Sequence, residues 1–452
     1  VSARGQSAEV VVVGGGLAGL SAAYRLARRG TRVLLIEKHA ELGGSSAMSG
    51  GWFALSDTAL QRRNAVVDSD EAFLHDMIES GGGYADEALL QRLLMVQAGA
   101  LDVIERAGAW TAELKISAGM TVPRAHLIDI RRLLAYLEEA SVAAGARIQR
   151  SHPAQELIWD GERVRGIRSP RGDVEAERGV VLTSGGFSRS RALVELFVPH
   201  QAAAMPYGGV ANTGDGLRMA WTLGAGVADV GHVAATYGQH AETGDDEHEL
   251  LTANYLGAIL VNMGGRRFTD ESASYKNLGS AVLAQPQHVA HQVFDAVVRA
   301  RSKPGVPLSD MDRIEELGHL TRADTLDELA ASLRVDAGEL AASVRDYNAV
   351  VAGERADEFG RTGLVNGIGE LVPLAKPPFY AYSAIPAMTS TYGGITVSPR
   401  GQARRMDGST IAGLFAAGEV VGGYHGSSYM TGMALTKALA CGLDAADALA
   451  GA

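Results

Sequence analysis

A strand–glycine–helix–strand unit opens the chain, strand and helix character returns at its end, and the stretch between them is more polar and richer in histidine. These three observations predict an α/β fold in two domains, with the second inserted into the first. The length agrees: 452 residues exceed what one ordinary core organises. Apolar residues make up 46% and charged residues 21%, the balance of a globular chain.

Residues 9–13, "EVVVV", form a β-branched run that predicts a buried strand. The glycine turn "GGGLAG" (14–19) follows, then the small-residue helix "AGLSAAYRLARRG" and the strand "TRVLLIEK". Residues 71–109 and 126–145 place apolar side chains at three- and four-residue spacing, which predicts helices. Turn signals at "DGERV" and "PRGDV" separate strands before "VVLTSGG". Pro304, Pro307 and the helical stretches "LDELAASL" and "ELAASVRDYNAVV" mark the inserted region. After "KPPFYAYSAIPAMTSTYGGITVS" the strand "GLFAAGEV" and a last helix return to the first domain. No internal repeat is visible.

The net charge of −11, with no basic block, argues against nucleic acid or an anionic membrane as a partner. The single cysteine, Cys441, excludes an internal disulfide framework and a cysteine-based metal cluster. The expected compartment is the cytoplasm. No apolar run is long enough to span a bilayer, and the first one is broken by glycines, as a strand and turn would be. His232, His240, His248, His288 and His291 show no metal-ligand spacing with acidic partners. His288 and His291 fall one helical turn apart and read as a solvated helix face, so no metal is expected.

Glycine is the outlier, at 56 residues, and its doublets follow strands or open helices. In "GGGLAG", Gly14, Gly16 and Gly19 fill the three slots of G-x-G-x-x-G, and Glu37 ends the second strand at the expected distance. The first glycine turns the chain, and the second admits a pyrophosphate to backbone N–H groups. The helix dipole favours its charge, and Glu37 can accept from a ribose hydroxyl. After Glu37 the chain supplies Gly43, Gly44, Ser45 and Ser46 as a second donor set. With "TSGGF", "NTGDG" and "GLFAAGE" these suit a ligand as extended as FAD better than NAD.

The chain resembles the fumarate reductase/succinate dehydrogenase flavoprotein family, which includes the 3-ketosteroid dehydrogenases. The resemblance covers nearly the whole chain. It is carried by "VVVGGGLAGLSAAYRLARRGTRVLLIEK", "GGSSAMSGG", "VVLTSGGFSRS", "NTGDGLRMAWTLGA", "GRRFTDE", "STYGGITV", "GLFAAGEVVGG" and "ALTKALACG". It implies a Rossmann-like FAD-binding domain (GR2-type) in residues 1–228 and 376–452, with an inserted α+β capping domain in 229–375. It also implies hydride exchange between flavin N5 and a substrate carbon. The cofactor contacts it implies are Gly14, Gly16, Leu17, Ala18, Gly19, Glu37, Lys38, Gly43, Gly44, Ser45, Ser46, Gly50, Gly51, Ala154, Ser184, Gly185, Gly186, Asp215, Gly418, Glu419, Ala434 and Leu435. Relatives with covalent FAD carry a histidine beside the "GGSS"-like motif. Here Ser45, Ser46, Ala47 and Met48 stand there, so non-covalent FAD is expected.

The substrate apparatus departs from the dicarboxylate-reducing members. Their substrate arginine after the glycine elbow falls on Tyr429, and two histidines fall on Ser390 and Thr236. Glu271 of a proton relay is kept, but its arginine becomes Ser274 or Tyr275. The proton-donating arginine falls weakly on Arg299, which also reads as a solvated helix charge. Exchanging a bidentate guanidinium for a phenol removes on the order of 2–5 kcal/mol of charge-assisted binding. A phenol suits a neutral ketone instead. "SSYMTG" leans toward the ketosteroid dehydrogenases, with Tyr429 and the amide of Gly432 holding a carbonyl. Tyr275, Tyr392, Tyr237, His425 and Arg299 are the acid/base candidates.

The leading expectation is an FAD-dependent enzyme making or reducing a C=C beside a ketone on a largely apolar substrate. The alternatives are a fumarate-, tricarballylate- or urocanate-type enzyme with anion contacts from Arg124, Arg131, Arg266 or Arg267, and an electron-transfer subunit. A flavin hydroxylase is disfavoured by the absence of a second dinucleotide fingerprint. The expected partners are a small-molecule substrate and an external electron acceptor or donor.

Overall fold

The computed structural model describes residues 6–233, 235–240 and 250–451. The opening residues form the predicted unit: β1 (Gln6–Val13), α1 (Leu17–Arg28) and β2 (Val33–Ile36). The strands pair in parallel, with Val10 opposite Val33 and Val13 opposite Ile36. Val10–Val13 and all of β2 are buried, which is why they read as continuous apolar runs rather than alternating ones. On its other edge β1 pairs in parallel with the strand Val174–Leu182, which pairs in turn with Thr410–Ala416. Residues from the two ends of the chain therefore share one eight-stranded sheet. The hairpin Glu156–Trp159 and Val164–Arg168 joins it antiparallel.

The chain divides into two compact units, residues 1–199 with 207–233 and 389–452, and residues 200–206 with 234–388. The sequence placed the insertion at 229–375. Two pairings account for the difference. Val227–Ala228 pairs with Gly394–Ile395, which keeps both segments in the first unit. The long strand Phe379–Met388 pairs with strands at 205–206, 236–239, 290–295 and 320–323, so it is the spine of the second unit's sheet.

The second unit's core gathers Tyr237, Ile259, Leu260, Val261, Val293, Phe294, Tyr347 and Tyr382. The stretch read as helical over 71–109 is two helices, Asp70–Ser80 and Glu87–Ala107, parted at Gly81–Gly83. The one read over 126–145 is the end of a strand, Ala125–Ile128, followed by the helix Ile130–Ala143. His288 and His291 do not share a helix face: His288 ends a short 3-10 turn, and His291 lies in the strand Ala290–Asp295. His248 lies outside the described residues. Among the described residues no helix is long and apolar enough to cross a membrane. None of their His, Cys, Asp and Glu side chains form a group of three or more suited to a metal.

Candidate active site

The glycine turn is built for a ligand at one position and for packing at another. Gly14 has φ +110°, and a Cβ there would come within 2.4 Å of the Thr183 carbonyl oxygen. Gly16 has φ −74°, which any residue adopts, and a Cβ there would meet only the Gly43 oxygen, at 3.8 Å. The fold does not need glycine at 16, and its bare backbone leaves room that a close-approaching ligand would use. Leu17 and Ala18, buried, begin α1, and Gly19 follows in the same turn.

The second glycine loop lies against the first. The Gly43 amide donates to the Gly15 carbonyl at 2.9 Å, and Gly16 and Gly43 form a bridge. Gly44 to Ala47 form one helical turn, with Gly44 exposed and Ser45 and Ser46 half-buried. Glu37 Oε2 accepts from the Gly15 amide at 2.7 Å and Oε1 from the His39 amide at 2.7 Å. Lys38 Nζ donates to Thr213 Oγ1 at 2.6 Å and to Asp215 Oδ2 at 2.7 Å. Gly50 and Gly51 precede the strand Trp52–Ala54, where the Gly51 carbonyl accepts from the Ile128 amide at 2.9 Å. Ala154 is half-buried in the loop after the strand Arg147–Gln149.

Ser184, Gly185 and Gly186 end the strand Val174–Leu182 through Thr183. The buried Ser184 Oγ has no hydrogen-bond partner among the described residues. Glu419 follows Gly418 in a short turn after Thr410–Ala416. Its carboxylate accepts from the Thr391 amide at 2.8 Å and from Asn212 Nδ2 at 3.0 Å. Burial pushes the Glu419 carboxyl up, and the Thr391 and Asn212 bonds oppose this. Asn212 Nδ2 also donates to Ser45 Oγ at 2.9 Å. Asn212 and Thr391 thus join three loops and were missed from sequence, although "NTGDG" and "STYGG" had both been singled out.

These residues fit FAD on three grounds: the cradle at Gly16 and Gly43, the solitary hydroxyl of Ser184, and the ring of loops tied by Asn212 and Glu419. Gly14, Gly16, Glu37, Gly43, Gly44, Ser45 and Ser184 would hold it.

The terminal helix Met433–Ala450 starts from Gly432, in the left-handed region at φ +88°. A Cβ at Gly432 would lie 2.5 Å from the Ala54 amide nitrogen, so the helix start packs directly on the strand Trp52–Ala54. Ala434 and Leu435 lie in its first turn. Ahead of it three rings meet. Tyr429 and Tyr392 stack with centroids 6.1 Å apart and planes 13° from parallel. His425 lies 5.3 Å from Tyr429 and 5.7 Å from Tyr392. Tyr392 and His425 are buried, and Tyr429 is half-buried. Burial pushes the Tyr429 hydroxyl up to about 12, opposed by backbone hydrogen bonds with Ala434 and Gly432 at the helix start. Gly432 therefore acts on the phenol itself.

Tyr275, Tyr237, Arg299 and Glu271 belong to the second unit. Tyr275 is buried at the start of the second unit's helix Tyr275–Leu283. Tyr237 is a core residue there, donating to the Ala290 carbonyl at 2.9 Å, which removes it as an acid/base group. Arg299 donates to Asp312 at 2.6 Å and to Glu315 at 2.5 Å, so its cation is committed to two carboxylates. Glu271, buried, takes both arms of Arg267 at 2.7–2.8 Å and one of Arg361 at 3.2 Å. Lys276, overlooked from sequence, is buried and hydrogen-bonded to Thr236 Oγ1. Of the cations considered for anion binding, Arg124 is buried against Asp68 and Asp76, Arg266 pairs with Glu339, and Arg267 holds Glu271 and Asp357. Arg131 is exposed on the helix Ile130–Ala143.

Residues 9–435 match the family described as "FAD binding domain". The NADH:fumarate oxidoreductase of Klebsiella pneumoniae (strain 342) is 29% identical over 449 residues, covering 97% of this chain and 47% of its own, so this chain spans about half that relative's length. Among solved structures, the open conformation of a flavocytochrome c3 fumarate reductase matches with a TM-score of 0.82 at 28% identity, over 99% of this chain and 78% of that one. The 3-ketosteroid Δ1-dehydrogenase of Sterolibacterium denitrificans shares the fold, with a TM-score of 0.79 at 23% identity over 99% of this chain and 100% of that one. With the glycine cradle and its ring of loops in place, the chain belongs to the family described as "FAD binding domain".

Proposed function

We propose that this enzyme forms or reduces a C=C bond next to a ketone on a largely apolar, cyclic substrate, with Tyr429 polarising the carbonyl. The observation that carries this reading is the aromatic cluster of Tyr429, Tyr392 and His425 at the start of the terminal helix. A phenol whose oxygen accepts from helix-start amides is a stronger donor through its own proton. Donated to a ketone oxygen, that proton acidifies the hydrogen on the α-carbon. Bound FAD supplies the acceptor, or in reverse the donor, of the β-hydride. In the oxidising direction the chain's own part is to take the α-proton on a base as the C=C forms; in reduction that group returns a proton to the α-carbon. Tyr392 is assigned the α-proton because it is the acid/base candidate stacked on Tyr429. His425, against both rings, holds them in register.

The cofactor is proposed to be non-covalent, since no histidine stands beside Ser45 to Met48. Release of intact FAD on acid precipitation tests this.

A second reading, reduction of a small carboxylate, is favoured by the kinship to fumarate reductases at 28–29% identity. The internal ion pairs of Arg124 and Arg267 speak against it, because a cation already paired with buried carboxylates cannot clamp a substrate anion without breaking them. Anaerobic bleaching of the flavin by cyclic ketones, against reoxidation of the reduced protein by fumarate, acrylate and urocanate, decides between the two. Turnover of the carboxylates alone overturns the ketone reading.

A further inference from the structure

The elbow that carries His425 and Tyr429 contains no regular element, yet its amides are held. Asp229 accounts for the first turn. A single oxygen, Oδ2, accepts from the Gly423 amide at 2.8 Å and from the Gly426 amide at 3.2 Å. Two donors three residues apart are drawn to one point, which closes a loop around Tyr424 and His425. Asp229 itself sits at φ +58°, a left-handed conformation that costs free energy for most side chains and is tolerated best by glycine, asparagine and aspartate. It lies on the segment that pairs, through Val227–Ala228, with Gly394–Ile395, just beyond Tyr392. Ile395 in turn bridges Val421 and accepts from the Gly422 amide at 3.2 Å.

Further along, the Ser427 amide donates to the Gly81 carbonyl at 2.9 Å and the Thr431 amide to the Ala118 carbonyl at 3.1 Å. Those are neutral backbone contacts. Asp229 supplies the bonds to a carboxylate, which as a class are stronger than neutral ones.

We propose that Asp229 is a positioning residue of the active site: its carboxylate clamps the Gly423 and Gly426 amides and thereby fixes His425 and Tyr429 in register with Tyr392. This rests on the reading of Tyr429 as the carbonyl-polarising group, but the clamp has its own readout.

Two variants isolate it. Asp229→Asn keeps an acceptor oxygen and the left-handed preference but loses the charge. Asp229→Gly removes the side chain while relieving the backbone, so loss of the fold is not the expected result. Hydrogen exchange of peptides covering 422–431, in the FAD-loaded protein, is expected to rise at least tenfold in Asp229→Gly and less than threefold in Asp229→Asn. The rate of flavin bleaching by an active ketone is expected to fall more than tenfold in Asp229→Gly and to recover mostly in Asp229→Asn, with KM changed much less than kcat. Unchanged exchange in Asp229→Gly overturns the clamp; equal loosening in both variants upholds it and assigns it to the charge rather than to the acceptor oxygen alone. Loosened exchange together with a silent Tyr429→Phe leaves the clamp standing and overturns the role of Tyr429 instead.

Discussion

The rings of Tyr392 and Tyr429 lie 13° from parallel with their centroids 6.1 Å apart, although 36 positions separate them in the chain. One comes from the segment that returns from the second unit, the other from the elbow before the terminal helix. Loss of a single preorganised donor to a developing oxyanion costs roughly 10²–10³ in rate. Tyr429→Phe is therefore expected to slow ketone-driven flavin bleaching about 10²-fold with FAD still bound. Tyr392→Phe is expected to slow it comparably and to suppress exchange of the substrate's α-hydrogen with solvent deuterium. Stopped-flow bleaching and mass spectrometry of recovered ketone read these out. Wild-type rates in either variant remove that residue's role.

Gly14 and Gly16 are expected to fail in different ways. Gly14→Ala forces a left-handed alanine onto the Thr183 carbonyl and should destabilise the protein by on the order of 3 kcal/mol or more. Gly16→Ala adds a methyl group where no atom of the chain lies nearer than 3.8 Å, so the apoprotein should melt within a few degrees of wild type. The same methyl narrows the cradle, and FAD affinity should drop at least tenfold. Calorimetry on the apoprotein and flavin fluorescence titration separate the two effects; normal FAD binding by Gly16→Ala would contradict the placement of the pyrophosphate.

Lys437 is buried in the terminal helix, and its Nζ donates to the Val421 carbonyl at 3.1 Å. Burial pushes its ammonium down to about 8, against the pull of Cys441, Glu419 and Asp229. In the unfolded chain a lysine titrates near 10.4. Between these values the unfolded chain binds more protons, so the folded state gains stability as pH rises from about 8 to about 10. Relative to Lys437→Met, the wild type should gain on the order of 1–3 kcal/mol across that window. Denaturant titrations of both proteins at pH 7 and pH 10 test this. Parallel pH curves would show that the ammonium is not desolvated as the packing implies.

Arg124 tests the carboxylate reading directly. Its side chain is fully buried, with Asp68 at 2.6 Å and Asp76 at 2.5 Å. Arg124→Met strands both carboxylates and should cost on the order of 3–5 kcal/mol of stability. Turnover per folded molecule should stay as it was. A large rise in KM for a carboxylate substrate, without a loss of stability, would identify Arg124 as an anion contact after all.

Local signals were legible where one short segment dictates its own conformation. The run "EVVVV", the turn at Gly14 to Gly19 and the position of Glu37 lead to β1, α1 and β2 because each depends on residues within one βαβ unit. The helical misreading of His288 and His291 has the same origin. Two histidines three apart fit a helix turn, but the pairing of Ala290–Asp295 with Phe379–Met388, some 90 residues away, draws His291 into a strand. Arg299 looked like a free helix cation until Asp312 and Glu315 were brought to it by a neighbouring helix.

By itself, the order of residues led to the cofactor class and to a second region nested inside the first, which follow from glycine placement and periodicity, both local; Tyr429 in the place of a substrate guanidinium is what the family resemblance implies. Only the tertiary structure decided which groups meet: Asn212 between Ser45 and Glu419, Tyr392 on Tyr429, and Asp229 beneath the elbow. Each joins segments from about 40 to 200 positions apart, and no spacing rule reaches that far. Their meeting depends on how sheets register and where loops close, which the burial of the whole core settles at once.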